Sequence, residues 1–408
     1  MKTCSYCGRE NEDNRRHCFE CGTELLSVNP SGQPKVTGAA KSCAFCSTEN
    51  PAGRQVCLLC GNDLIPTHPQ SNSFQSEPET WELLEPFLEY ESEHGYSYPD
   101  WEKVWQQVNA RIPRSSWNAV YRRLARQWVS QLCEDLGGDY RGYESERFLL
   151  MCAEGRKVSE TLLQYSENAQ AAIAGQIGKL NDREVFGKQV LLVFSEDDDY
   201  FTYISHFYPD GTHNLSSGVF ISAGYGHVAL PFRFAFSAKA VLIHELVHNS
   251  LFHLPIPTWL NEGLAQRIER HLGNRGFVLD GELAHRHREF WNAENIQRFW
   301  AGFSFGEPGD SSQLSYSLGE ILVELLAGNY AAFIDFVSEA DWRDAGQDAA
   351  VRIVDKDLGA VLEGFLGAGD WRPNRKKLSD LFKASTDSTG SSRAKPTAAS
   401  KCLDERIP

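Results

Sequence analysis

The stretch HELVHNSLFHLPIPTWLNEG, His244 to Gly263, constrains this chain more than any other. No helix breaker interrupts Ala238 to Phe252, and Pro255 and Pro257 close the run, so the pattern predicts a helix with Ser237 as its N-cap. On that helix His244 and His248 share one face, about 6 Å apart along the axis. Val241, Leu242, Ile243, Leu246, Val247 and Leu251 make the helix apolar on most sides. Two imidazoles and a carboxylate in such a setting are costly to bury unless they bind a metal. Glu245 lies about 100° round, where it reaches a metal-bound water without being a ligand. A second helix is expected after the Pro turn, with Glu262 in its first turn, 14 residues beyond His248. That distance lets the first helix end, a loop reverse, and a carboxylate complete a His2Glu zinc set.

A second constraint is a repeat. CSYCGRENEDNRRHCFECGTEL (Cys4 to Leu25) and CAFCSTENPAGRQVCLLCGNDL (Cys43 to Leu64) share the frame C-x2-C-x10-C-x2-C, an aromatic inside the first pair and a following Glu-Asn. Units this short need a staple. Cys4, Cys7, Cys18 and Cys21, then Cys43, Cys46, Cys57 and Cys60, have the spacing of two tetrahedral zinc sites. The repeat resembles a double zinc ribbon, with ribbons over 1–26 and 41–65. A closed four-cysteine site is structural, so chemistry is expected elsewhere. Cys133, Cys152 and Cys402 show no pattern and read as buried or spare thiols.

Residues 66–80 read as a Pro/Ser/Gln linker and 384–408 as a disordered tail. Between them, 81–140 is expected to be a helical region, with apolar stripes at Trp101, Val104, Trp105 and Val108 and at Trp117, Val120, Tyr121, Leu124, Trp128 and Leu132. Strands are expected at RFLLMC, at KQVLLVF and, as two short pieces, in SGVFISAGYGHVALPF. From about Ala238 onward the pattern is helical. Strands before the HELVH helix and helices after it imply an α+β body with a cleft between two halves.

With HELVH and WLNEG both present, these residues resemble the gluzincin metallopeptidases, the thermolysin- and aminopeptidase-like zincins. The resemblance covers roughly 141–375 and implies a zincin-like domain: a small sheet, an active-site helix and a helical C-terminal half. It implies zinc held by His244, His248 and Glu262, Glu245 as general base, and Tyr316, 54 residues past Glu262, as a donor to the oxyanion. His253 is a rival ligand, but Leu251 and Leu254 stand where the metzincin pattern needs Gly and His. Gln266 stands where thermolysin-like enzymes carry an acidic residue, and the Gly-x-Met-x-Asn element of the aminopeptidase branch is missing. SAGYGHVAL is the candidate for a substrate-binding edge strand.

The expected function is zinc-dependent hydrolysis of a peptide or protein substrate, with three zinc ions per chain and the ribbons recruiting a protein partner. Paired cysteines, no signal-peptide pattern and no long apolar run place the protein in the cytoplasm, off the membrane. The alternatives are a zinc-bound pseudo-peptidase scaffold and a nucleic-acid-binding ribbon protein. A net charge of −15 argues against the latter. So do ribbons with seven Lys/Arg and seven Asp/Glu in the first 66 residues.

Overall fold

The computed structural model describes residues 88–208, 217–232, 235–273 and 277–387, with five two-residue strands nearer the N-terminus. Strands β1 (Lys2–Thr3) and β2 (Glu10–Asn11) pair antiparallel, as do β3 (Lys41–Ser42) and β4 (Glu49–Asn50). The register is the same in both repeats, so the repeat seen in sequence is also a repeat of backbone pairing. The eight ribbon cysteines and Cys402 lie outside the described residues.

Strand β5 (Asn72–Ser73) corrects the linker expectation, because it pairs with β8 at the edge of the main sheet. Two backbone pairings carry no side-chain period, so nothing in the linker announced them. The region 81–140 likewise is not wholly helical. It opens with a hairpin, β6 (Tyr90–Glu93) and β7 (Tyr96–Pro99). Its two-residue turn places His94 and Gly95 both at positive φ, the backbone of a type I′ turn. Tyr96 and Tyr98 then point inward together, as alternation requires. Helices α1 (Trp101–Arg111) and α2 (Trp117–Leu136) follow, the first capped by Asp100, which accepts from Lys103 N–H.

The body is then laid out as β8 (Arg141–Glu144), β9 (Phe148–Cys152), α3 (Arg156–Ile177), β10 (Gln189–Phe194), α4 (Asp197–Ser205), β11 (Val219–Ile221) and β12 (His227–Pro231). The six-stranded sheet has the order β11-β12-β10-β9-β8-β5, with β10 parallel to β9 and β12 and the outer pairs antiparallel. Its central strands are buried on both faces, which explains the unbroken apolar runs FLLMC and VLLVF. Leu149, Met151, Val190 and Leu192 face one core, shared with Val104, Leu124 and Trp128 of α1 and α2. Leu150, Leu191 and Val193 face the other, shared with Leu163 of α3 and Leu242 and Leu246 of the next helix. Residues 96–132 therefore share a core with the sheet rather than forming a lead-in to it.

All later elements are helical: α5 (Ala235–Leu251), α6 (Thr258–Leu272), α7 (Gly281–Phe290), α8 (Asn295–Trp300), α9 (Asp310–Leu326), α10 (Tyr330–Glu339), α11 (Gln347–Val354), α12 (Leu358–Leu366) and α13 (Arg375–Asp387). Helix α5 begins two residues before Ser237, which is inside it and not its cap, since Ala235 and Phe236 continue the helix upstream. The tail expected from 384 is likewise helical to Asp387. The result is a mixed α+β body, mostly helical, with one small sheet; among the described residues no helix is long and apolar enough to cross a membrane. Helix α5 packs on α3, α6 and the β11–β12 end of the sheet, while α6 packs on α9. Those contacts build the site.

Candidate metal centre

Helix α5 presents His244 and His248 on one face, and their rings stand 4.7 Å apart. After Pro255 and Pro257 the chain reverses into α6, whose first turns carry Glu262 back to them. His244 Nε2 lies 3.2 Å from Glu262 Oε2, and His248 Nε2 lies 3.4 Å from the same oxygen. One ligand atom from each of the three residues falls within 4.8 Å of the others. Ligands of a tetrahedral zinc at ~2.0–2.1 Å sit roughly 3.3 Å apart, so the carboxylate–imidazole separations fit that ion. The side chains are largely buried, at 12–16% exposure, which leaves three polar groups converging where water is scarce.

Glu245 stands beside this trio and outside it. Its Oε2 accepts the N–H of Phe220, on the sheet-edge strand β11, at 2.7 Å. The stretch Ser222 to Leu230, expected to supply the edge, instead forms a turn and the inner strand β12; β11 takes the edge because β12 pairs on both sides. Burial pushes the Glu245 carboxyl upward, against the pull of the His248 and His244 imidazoles and of the Phe220 N–H. For Glu262 burial acts in the same direction but loses: the two imidazoles hold its carboxyl well below the usual range. Burial opposes charging of His244 too, yet hydrogen bonds to Glu262 and Glu269 raise its pKa well above the ordinary value. Burial likewise opposes charging of His248, and Glu262 raises it.

Glu269 is the residue that motif reading missed. Its Oε2 lies 3.4 Å from His244 Nδ1, so one imidazole spans two carboxylates of the same helix, Glu262 at Nε2 and Glu269 at Nδ1. The signal was available: Glu269 follows Glu262 by seven residues, two turns on the same face. A carboxylate behind a ligating imidazole sets its tautomer and orientation. Gln266, where the acidic residue was sought, lines a cavity of about 450 Å³ together with His244, Glu269, Arg270, Tyr316 and Glu320.

Tyr316 reaches this cavity from α9, with its ring edge-on to Phe305 at 5.1 Å. The charge of Glu262, then burial, then Glu245 raise its pKa well above the ordinary value, so the phenol keeps its proton. His253 is exposed, beyond the end of α5, and is not among the grouped ligands. Cys152 is buried in the sheet and Cys133 is half-buried, both as free thiols.

No curated protein matches this chain. Residues 4–61 match the family model of the double zinc ribbon. The N-terminal part of this chain is thus a double zinc ribbon, a structural zinc-binding module.

Proposed function

We propose that this chain is a zinc metallopeptidase whose body is a gluzincin-like, zincin-type domain. The observation that supports this most is the convergence of His244, His248 and Glu262, with Glu245 tethered beside them but not among them. Those three side chains would hold the ion. Bound there, zinc supplies a Lewis acid for the scissile carbonyl and brings the pKa of a water towards neutrality. Glu245 moves the proton: Phe220 N–H occupies Oε2, which leaves Oε1 to take a proton from the attacking water and return it to the leaving amine. Tyr316, kept protonated, donates its O–H to the oxyanion. Among the described residues β11 is the outermost strand of the sheet, and an extended peptide would lie along it.

The ribbons serve as the recruiting module, bringing the peptidase to a protein partner. Their even charge suits a protein surface better than a phosphate backbone. Four CxxC pairs suit a reducing compartment, and we place the protein in the cytoplasm. The test is cleavage of a mixed peptide library by the full chain, loaded with zinc, stripped by chelator and reloaded. Cleavage that disappears and returns with zinc supports the reading. A chain that holds its full zinc and cuts nothing is a scaffold, and the proposal falls.

A further inference from the structure

Past His248, the ligand-bearing face of α5 leads to a cation that has no carboxylate partner among the described residues. Phe252 follows His248 by four residues and stands just past the end of α5. Its ring packs against Phe220, at 5.4 Å between centroids, and Phe220 is the residue whose N–H holds Glu245. Over the Phe252 ring, at 4.3 Å, lies the guanidinium of Arg183. Arg183 Nη2 donates to Asn249 Oδ1 at 3.2 Å, and Asn249 in turn donates to Gln189 Oε1 at 2.8 Å, which fixes the amide. Glu245, Phe220, Phe252 and Arg183 thus form an unbroken series of contacts. Asn249, which Arg183 donates to, lies four residues and so about 6 Å along the helix axis from Glu245.

Among the described residues no carboxylate pairs with Arg183. Its neighbour Glu184 is engaged by Arg114. Of five guanidinium donors, one meets a neutral amide oxygen and one face meets an aromatic ring. Burial lowers the pKa to about 10, so the group is still charged at neutral pH. A half-buried cation with no anion among the described residues costs stability, and removing one partner of a buried pair elsewhere is expensive for the same reason. The arrangement makes sense where an incoming anion completes it, and the guanidinium fork matches a carboxylate in two parallel hydrogen bonds.

We propose that Arg183 is a specificity-determining residue that binds a carboxylate of the peptide substrate, two or three residues from the cleaved bond. The spacing follows from the roughly 3.3 Å that an extended peptide advances per residue. The carboxylate is an acidic side chain or the free C-terminus, and the inference rests on the peptidase reading.

The experiment uses the zinc-loaded full chain and fluorogenic decapeptides. In one series Asp or Asn is walked through each position on both sides of the cut; in the other the C-terminus is free or amidated. One Asp position, or the free C-terminus, should raise kcat/KM about tenfold or more over its uncharged twin, chiefly through KM. The ratio is read on the wild type and does not depend on a variant folding. It should fall towards one in Arg183→Met and in Arg183→Gln, each checked by its melting temperature, and survive in part in Arg183→Lys. The same labelled peptides are titrated by anisotropy against zinc-loaded Glu245→Gln, where binding is read without turnover. Equal values for charged and uncharged twins in both readouts overturn the role of Arg183 while cleavage still stands. Charge-dependent binding that Arg183→Met abolishes, with no peptide cut by the wild type, upholds the carboxylate site and removes the peptidase.

Discussion

Gly263 of α6 lies so close to Gly319 of α9 that a Cβ on Gly263 would stand 2.3 Å from the Gly319 carbonyl oxygen. The obstruction is backbone, which cannot rotate away. This contact lets α9 bring Tyr316, one turn before Gly319, to the cavity beside Glu262. Alanine is the better helix former by about 1 kcal/mol, yet here the two helices would have to part. Gly263→Ala should therefore destabilise the chain by about 1–3 kcal/mol in urea unfolding and weaken zinc binding in the body. A variant with an unchanged midpoint would show that the close approach is not required.

Zinc content divides the ligand sets. The wild type should hold three ions per chain, two in the ribbons through Cys4, Cys7, Cys18 and Cys21 and through Cys43, Cys46, Cys57 and Cys60. Glu262→Ala should hold two, because the carboxylate that both imidazoles face is gone. His253→Ala should still hold three. Elemental analysis of protein purified without chelator decides it, and the reverse outcome for these two variants contradicts the His2Glu assignment.

Glu269 predicts an affinity effect without a change of ligand. Glu269→Gln keeps the shape but removes the negative charge 3.4 Å from His244 Nδ1. Zinc affinity of the body should drop 10–100-fold, measured by competition with a chromophoric chelator. An unaltered dissociation constant would mean that the carboxylate does not orient the ring.

Glu245→Gln separates base from ligand. Zinc content should remain at three, and the Phe220 N–H still finds an amide oxygen to donate to. Turnover of a cleaved peptide should fall by about 10²–10⁴-fold. Equal turnover in wild type and variant is the result that sinks Glu245 as the general base.

His287 makes stability depend on pH. It is buried; its Nδ1 accepts from Trp291 Nε1–H at 3.1 Å, and its Nε2 lies 3.0 Å from Ser317 Oγ. Burial, then nearby Arg286, lowers its pKa to about 4. Protonation would also set an N–H against that of Trp291. The unfolded chain, with a histidine near 6.5, binds more protons between these values, so stability rises with pH across that window. The contribution is complete above pH ~6.5 and shrinks as pH falls towards 4. Between pH 6.5 and 5 the wild type should lose about 1–2 kcal/mol more than His287→Gln in urea unfolding. Parallel losses in the two proteins would exclude His287 as the source.

Local spacing carried much of this protein. Residues four apart on a helix must share a face, so HELVH alone placed His244 and His248 together and Glu245 beside them. The same holds for the cysteine frame of the ribbons, where spacing is geometry over a few residues. The buried strands at Phe148–Cys152 and Gln189–Phe194 were legible for a related reason, since burial on both faces leaves an unbroken apolar run. What lay out of reach were other meetings between residues far apart in the chain. Phe220 N–H on Glu245, Arg183 over Phe252 and the Asn72–Ser73 pairing depend on how helices and strands dock. Docking is decided by whole buried surfaces and by single close approaches such as Gly263 on Gly319, and neither leaves a periodic trace in the residues that it brings together.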